Sequence, residues 1–541
     1  MSHGLSKPFR VEEKGPAKVV VPLGGSSYVE ENTARKAILR ILWLYGYLAG
    51  SSLGSRGAFK LVHGKYGDVV PTGKIYLLLE EASKENPIVE LIWETARSLW
   101  RQYGDGVKTA ILLAFKLYEE AYKLMVEYGL RPSVILEGYA KALRIHLKTL
   151  EDLASKSPRL SCIQAARSIL WGSQARDILA GLLCRALSRY SDKGCSKPFT
   201  EAVDFERVEG GSLSDSFLFE GVVVRKRISR PGMPRVRRGP LRVVVVDQKI
   251  YTDLRYEGYT FIVDNPDLAL RLREEASRLH EWVVRKLEGL GVGFIVNVKG
   301  IDAAVEEALE RRGILALRRI PPEKARLMAA ASNARILSRL QDVEPGDVGL
   351  VDSVEERVYG DRYYTFIKAG RGCVSTLVIR GPWYAVDTVY QEARMAARGL
   401  EAFLGDPRGL PAGGAPEVEA AVRILEASRT APGKIQLAME AYARALEVIP
   451  RTLARHSALD PEEALANLES LHNRGLWAAG VDEFEGEIVD DVTGRGLLDL
   501  YAVRRAASEA GASLAAGLLR VTGIAVHKRG EYLRAIREPH R

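Results

Sequence analysis

The sequence predicts a multidomain α+β protein in which an α-helical half, drawn from both ends of the chain, is split by an inserted α/β domain. Three observations carry this. At 541 residues the chain is too long for one hydrophobic core. Its first third and its C-terminal part are dominated by apolar residues at three-four spacing, the period of a helix with one buried face. From Gly210-Gly211-Ser212 onward the pattern changes to short β-branched runs alternating with helical stretches, the mark of an α/β domain.

Taken in order, residues 1–30 read as a loose arm with a short strand at 19–21, and 30–50 as a helix with Ile38, Ile41, Leu42 and Leu48 on its apolar side. A turn region follows, then a strand over 68–78 and a helix over 87–101. From Val107 apolar or small residues recur at 107, 110, 111, 114, 117, 118, 121, 124 and 125; Gly129 and then Pro132 supply the stop. Helices over 133–155 and 161–190 complete the first helical part. The α/β part has strands expected at 217–225, 241–246, 293–298 and 314–318, and helices at 266–288, 301–311 and 322–332. Strands at 363–368 and 374–379 bring the chain back to helices at 384–403, 417–430, 432–448 and 500–523.

Composition excludes several classes. Hydrophobic content of 47% with 27% charged residues fits a globular protein able to bury large cores. No run approaches ~18 uncharged apolar residues and the N-terminus lacks a signal-peptide core, so a cytoplasmic protein without a membrane partner is expected. Net charge is +9, but the densest basic stretch, from Arg225 to Arg238, is interrupted by Pro and Gly and has no interleaved aromatics, so nucleic acid is not expected as a partner. Cys162, Cys184, Cys195 and Cys373 show no CxxC or zinc spacing and are expected to be thiols. The Arg- and Glu-rich, Asn- and Gln-poor composition suits a thermophile.

The candidate site is Gly104-Asp105-Gly106, which runs directly into the helix from Val107. Two glycines let the backbone approach a ligand, and the free amides of a first helical turn hold an anion. Asp105 would repel a phosphate unless a cation lay between them, which points to a magnesium-phosphate site at a helix N-terminus. A turn that merely starts a core helix has the same sequence, and at this point both readings stand.

Further motifs resolve the choice by resemblance. Gly104–Ala110 resembles the GDGTTTA motif of group II chaperonins, the thermosome and the eukaryotic cytosolic chaperonin. Ser51–Gly57 is similar to that family's SSLGPKG, Gly67–Val70 to GDVTI, Gly232-Met233-Pro234 to PGMP and Lys299–Asp302 to KGID. Ile449–Ala454 followed by Leu459-Asp460-Pro461 is similar to IPRTLAENAGLDP, and all of these occur in the family's order.

The resemblance implies an equatorial domain from 1–146 and 403–541, an intermediate hinge domain from 147–208 and 370–402, and an apical domain over 209–369. A lid protrusion would begin near residue 251, where Leu254, Tyr256, Tyr259 and Phe261 either pack within the domain or meet client and neighbouring lids. It also implies ATP and Mg2+ as cofactors, non-native proteins as clients, and a double ring of this chain or of paralogous subunits. Asp105 falls on the family's metal-binding aspartate and Gly104 and Gly106 on its phosphate cradle, with Gly54, Lys74, Lys108 and Thr109 expected to bind the nucleotide beside them. Gly413 and Gly414 resemble the PGGGA loop and Asp499 a ribose contact, while Glu392 aligns with the hydrolytic aspartate. Other positions depart from the family: Val107 and Lys108 replace two threonines, Lys74 replaces an aspartate, and Glu392 is longer by one methylene. Lysine meets phosphate as a point charge rather than through fitted hydroxyl bonds. These departures leave two expectations, an ATP-driven folding chaperonin and a hydrolysis-deficient paralogue that serves as a structural or client-holding ring subunit.

Overall fold

The structure is a computed structural model; it describes residues 9–14, 17–22, 26–63, 69–73, 75, 79, 86–250, 267 and 281–527. Two compact units result. The first comprises Met1–Arg176 with Arg398–Arg541, the second Asp177–Ala397.

The first unit is built on the helix Val107–Glu127, which buries Ile111, Leu113, Leu117, Tyr118 and Ala121 completely. Its apolar positions at three-four spacing meet the helices Glu31–Gly50 and Tyr501–Leu519, whose own buried faces follow the same period. Pro87–Tyr103 begins as its sequence dictates: Asn86 accepts from the Ile88 and Val89 amides at 2.9 and 3.4 Å, and Pro87 takes a position where its missing N–H does no harm. Pro132–Lys156, Ala415–Ser428 and Lys434–Leu446 complete the layer, and Tyr139 and Tyr442 meet edge to face at 5.5 Å in the core. Two small antiparallel sheets matter for the site. Gly409–Pro411 pairs with Leu498–Leu500, and Gly480–Asp482 with Glu487–Val489. The N-terminal strands Phe9–Lys14, Ala17–Pro22 and Ser26–Val29 form a four-stranded antiparallel sheet with Ile524–His527, more structure than the short strand expected there.

The second unit holds a mixed seven-stranded sheet. Its order is Leu315–Leu317, Val292–Asn297, Val236–Val246, Gly349–Tyr359, Arg362–Lys368 and Gly221–Val224, with Ile336–Leu337 pairing Val236–Val246 in parallel. The central positions Val243–Val246 and Phe294–Val296 are fully buried, as a strand covered on both faces requires. A second sheet sets Val203–Glu209 parallel to Ser375–Gly381, with Phe217–Phe219 on the other side.

Several expectations are corrected. The helix expected over 161–190 is two helices, Cys162–Ile169 and Arg176–Asp192, because Gly172 turns at φ +82. The strand run over 217–225 is split into two, and that expected over 68–78 ends at Thr72. The helix Pro461–Asn473, capped by Asp460 and opened by Pro461, was not anticipated. Of the helix expected over 266–288, residue 267 and residues 281–289 are helical and the rest lies outside the described residues, as do Leu254, Tyr256, Tyr259 and Phe261.

The cysteines are also corrected: none is a free thiol. Cys195 is bonded to Cys373 across a sequence separation of 178 residues, with their Cα atoms 6.0 Å apart. Only the fold brings such distant residues together, so their spacing carried no signal. Arg189 donates to the carbonyls of Gly370 and Gly372 at 3.0 and 3.3 Å and Lys193 donates to Gly370, so the loop before Cys373 is held from the same side. Replacing both cysteines with serine will lower the stability of this unit by about 2–4 kcal/mol. Thermal unfolding of the variant, and of the native protein with and without reductant, checks it. Among the described residues no helix is long and apolar enough to cross a membrane.

Candidate functional site

The helix Pro87–Tyr103 ends at Gly104, whose φ of +70 lets its N–H reach the Trp100 carbonyl at 3.1 Å. Two residues later Gly106, at φ +84, begins Val107–Glu127 with no side-chain cap. The first N–H to find an intrahelical partner is that of Ala110, 3.0 Å from the Gly106 carbonyl. The amides of the first turn therefore precede the ladder, at the positive end of the helix dipole. A β-carbon on Gly106 would lie 3.1 Å from the Ala507 methyl, so the turn is pressed against the helix Tyr501–Leu519.

Asp105 sits between these two helix ends. Burial raises its carboxyl above the ordinary range, opposed by a hydrogen bond from the Gly106 amide and by the charge of Lys108; Asp499 adds to the rise and Arg504 counters it. These four charged groups thus share one electrostatic neighbourhood, which the sequence order does not reveal.

Asp499 is placed by the small sheet, opposite Leu410, and Arg504 lies in the second turn of Tyr501–Leu519. Arg504 pairs with Asp499 through Nη2 and, through Nη1 at 3.3 Å, with Glu417. Glu417 is fully buried, and apart from that ion pair neither of its oxygens has a hydrogen bond; burial raises its carboxyl. Burial would by itself lower Arg504, but Glu417 and Asp499 raise it instead. Beyond it, His146 is buried with Nδ1 3.2 Å from the Tyr442 hydroxyl; burial, with the nearby Arg504 charge, pushes it down to about 3, so the imidazole is neutral. Arg504, Glu417 and His146 were missed by the motif reasoning. The one local signal was the acidic residue three places after Gly414, where a new helix begins.

The remaining expected residues fall as follows. Lys108 Nζ donates to the Ser52 carbonyl at 2.5 Å, which ties the site helix to the turn after Glu31–Gly50. Thr109 is buried on the helix, and Val107 contributes to the core. Gly413 and Gly414, at φ +68 and +79, sit between the Gly409–Pro411 strand and the helix Ala415–Ser428. A β-carbon on Gly413 would lie 2.7 Å from the Val481 nitrogen, and one on Gly414 2.9 Å from the Pro450 side chain. Both glycines are therefore required by packing whatever else they do. Gly54 turns at φ +75 against the Glu483 carboxylate. Glu392 is half-buried on Trp383–Gly405 and belongs to the second unit. Lys74 lies outside the described residues. The structure thus places Asp105 in the field of Lys108, Asp499 and Arg504 in the first unit, with Arg504 and Asp499 paired directly.

No group of three His, Cys, Asp or Glu side chains among the described residues is arranged to hold a metal. This donor set fits magnesium carried on a phosphate, which usually takes one or two carboxylates and fills its other positions with phosphate oxygens and water. Asp105 would be the carboxylate of such a site, and the uncapped helix start would face the phosphate.

A model of the TCP-1/cpn60 chaperonin family matches residues 47–529. The chain is 31% identical over 501 residues to thermosome subunit alpha of Aeropyrum pernix, covering 88% of each protein. It is 29% identical over 520 residues to thermosome subunit beta of Thermococcus kodakarensis, covering 94% of each. Against thermosome subunit alpha of Archaeoglobus fulgidus the identity is 31% over 489 residues, with 88% and 89% covered. With the family model spanning nearly all of its length, the chain belongs to the TCP-1/cpn60 chaperonin family and is a group II chaperonin.

Proposed function

We propose that this group II chaperonin subunit drives protein folding with MgATP bound at the Gly104–Gly106 turn. It encloses non-native proteins in a cytoplasmic double ring made of itself or of paralogous subunits. The observation that carries the reading is the half-buried Asp105 between Gly104 and Gly106, at the uncapped start of the largely buried helix Val107–Glu127. Asp105 holds the metal, and the amides of residues 107–109, with Gly104 and Gly106 behind them, receive the phosphates. Lys108 and Thr109 supply donors and positive charge nearby, and Lys74, outside the described residues, belongs to the proposed nucleotide site by its sequence position alone. Gly54, Gly413 and Gly414 let the backbone approach the nucleotide, and Asp499, oriented by Arg504, accepts from the ribose. Glu392 orients the attacking water. Bound MgATP would supply the phosphoanhydride, with the metal neutralising phosphate charge. The division into equatorial (1–146, 403–541), hinge (147–208, 370–402) and apical (209–369) parts belongs to the same proposal.

The test is ATP turnover by the size-fractionated ring, with and without Mg2+, beside Glu392→Ala. The expected result is Mg-dependent turnover that falls at least about 100-fold in the variant while the ring persists. A ring that binds nucleotide but leaves ATP intact in both proteins would overturn hydrolysis and make the chain a client-holding subunit.

A further inference from the structure

The turn after Glu31–Gly50 already contains an anion. Gly54 has φ +75, a left-handed turn that presents the Ser55 N–H to one point. At that point lies the carboxylate of Glu483, which is 6% exposed. The Ser55 N–H donates to both of its oxygens at 3.2 Å, and Trp171 Nε1 donates to Oε2 at 3.2 Å. A β-carbon on Gly54 would coincide with this carboxylate, so the glycine and the acid fit as turn and ligand.

The position of Glu483 is set by its surroundings. Asp482, the last residue of Gly480–Asp482, accepts from the Phe484 amide at 2.9 Å and the Glu485 amide at 3.3 Å, a turn that fixes the backbone of Glu483. Arg56 donates to the Phe484 carbonyl at 2.6 Å. The Trp171 and Phe484 rings meet at 4.7 Å, and the Arg176 guanidinium lies 4.3 Å over Trp171. The carboxylate itself is held by neutral N–H donors. Burial raises its pKa, and the charge of Asp499 raises it further, which places Glu483 within reach of the field of the proposed ribose-side acid.

We propose that Glu483 is a built-in competitor for the Gly54–Ser55 turn: an anionic nucleotide engages that turn only by displacing the carboxylate, so nucleotide affinity is set by this exchange. The proposal rests on the reading that Gly54 belongs to the nucleotide site. Displacement frees the Ser55 amide for a phosphate oxygen and leaves the Trp171 indole N–H without its carboxylate.

The experiment uses the full-length protein, Mg2+ and ADP. Calorimetric titration compares the native protein with Glu483→Gln and Glu483→Ala; the expected result is binding about tenfold tighter in the alanine variant, with the glutamine variant between. In parallel, tryptophan fluorescence of the native protein should change on saturation with MgADP, and the change should disappear in Trp171→Phe. This arm needs no variant at Glu483. Unchanged or weaker binding in the Glu483 variants, or a fluorescence change that survives in Trp171→Phe, overturns the competition and leaves the functional reading standing. Absence of MgADP binding in every protein overturns both.

Discussion

Replacing Lys324 with methionine will destabilise the second unit by about 3–5 kcal/mol, the cost of removing one partner from a buried ion pair. Lys324 lies in the first turn of the helix Pro322–Ser332. Its ammonium donates to Asp204 Oδ2 at 2.7 Å, Glu206 Oε2 at 2.7 Å and the Val223 carbonyl at 2.9 Å, which accounts for all three of its N–H groups. The two acids lie on Val203–Glu209 of the three-stranded sheet, and Val223 on Gly221–Val224 of the larger one, so one cation ties the sheets together. Burial would lower the lysine's pKa, but attraction from Asp204 and Glu206 reverses this and leaves it raised. A raised cationic pKa contributes stability that is fully present below the unfolded value of about 10.4 and is lost as pH rises through the folded value. Lys324 itself stays charged between pH 6 and 9, but burial already raises Glu206 and loss of the cation raises it further, so the destabilisation should grow with pH as the unpaired acids ionise. Urea unfolding followed by Trp282 and Trp383, the tryptophans of this unit, measures it. A change below about 1 kcal/mol would show that the triad is solvated. Adding Asp204→Asn and Glu206→Gln should recover part of the loss, because two uncompensated buried charges disappear.

The same residues explain what the sequence hid. Val203–Glu209 reads as polar because Asp204 and Glu206 point inward, and only the remote Lys324 makes that placement possible. Gly349–Tyr359 escaped notice for a different reason: a register shift between Val351 and Ser353 breaks the alternation that marks a half-buried strand. Long helices with uninterrupted spacing, such as Val107–Glu127 and Pro322–Ser332, were legible almost to the residue. At the candidate site, the turn around Asp105 was legible because glycine, acid and helix start are contiguous. Arg504 was not, because its role comes from charges supplied by Glu417 and Asp499 on other elements. Gly413 and Gly414 show the limit of motif reading: their tight packing on Val481 and Pro450 would keep them glycine with or without a ligand.

Asp105→Asn separates those two causes at the site itself, and it should weaken nucleotide binding by more than about 100-fold with Mg2+ present, beyond what loss of an outer-shell partner costs at a metal site. Without Mg2+ the variant should bind nucleotide as tightly as the native protein or more tightly, since the asparagine keeps the volume and removes a charge that repels bare phosphate. The stability effect has the opposite sign. Burial raises the Asp105 carboxyl, so the folded protein favours its neutral form, and the ionised form becomes a cost as pH rises through the folded pKa. Without ligand at neutral pH, Asp105→Asn should therefore melt at the same temperature as the native chain or higher. A carboxylate that merely capped a core helix would behave differently: its loss would lower the melting temperature and leave the magnesium dependence of binding untouched. Calorimetric titration of nucleotide with and without Mg2+, beside thermal unfolding of the ligand-free proteins, distinguishes the two. Weaker binding together with a raised melting temperature is the signature of a residue that costs the fold stability and serves the ligand, whereas lower stability with unchanged binding would return Asp105 to the core.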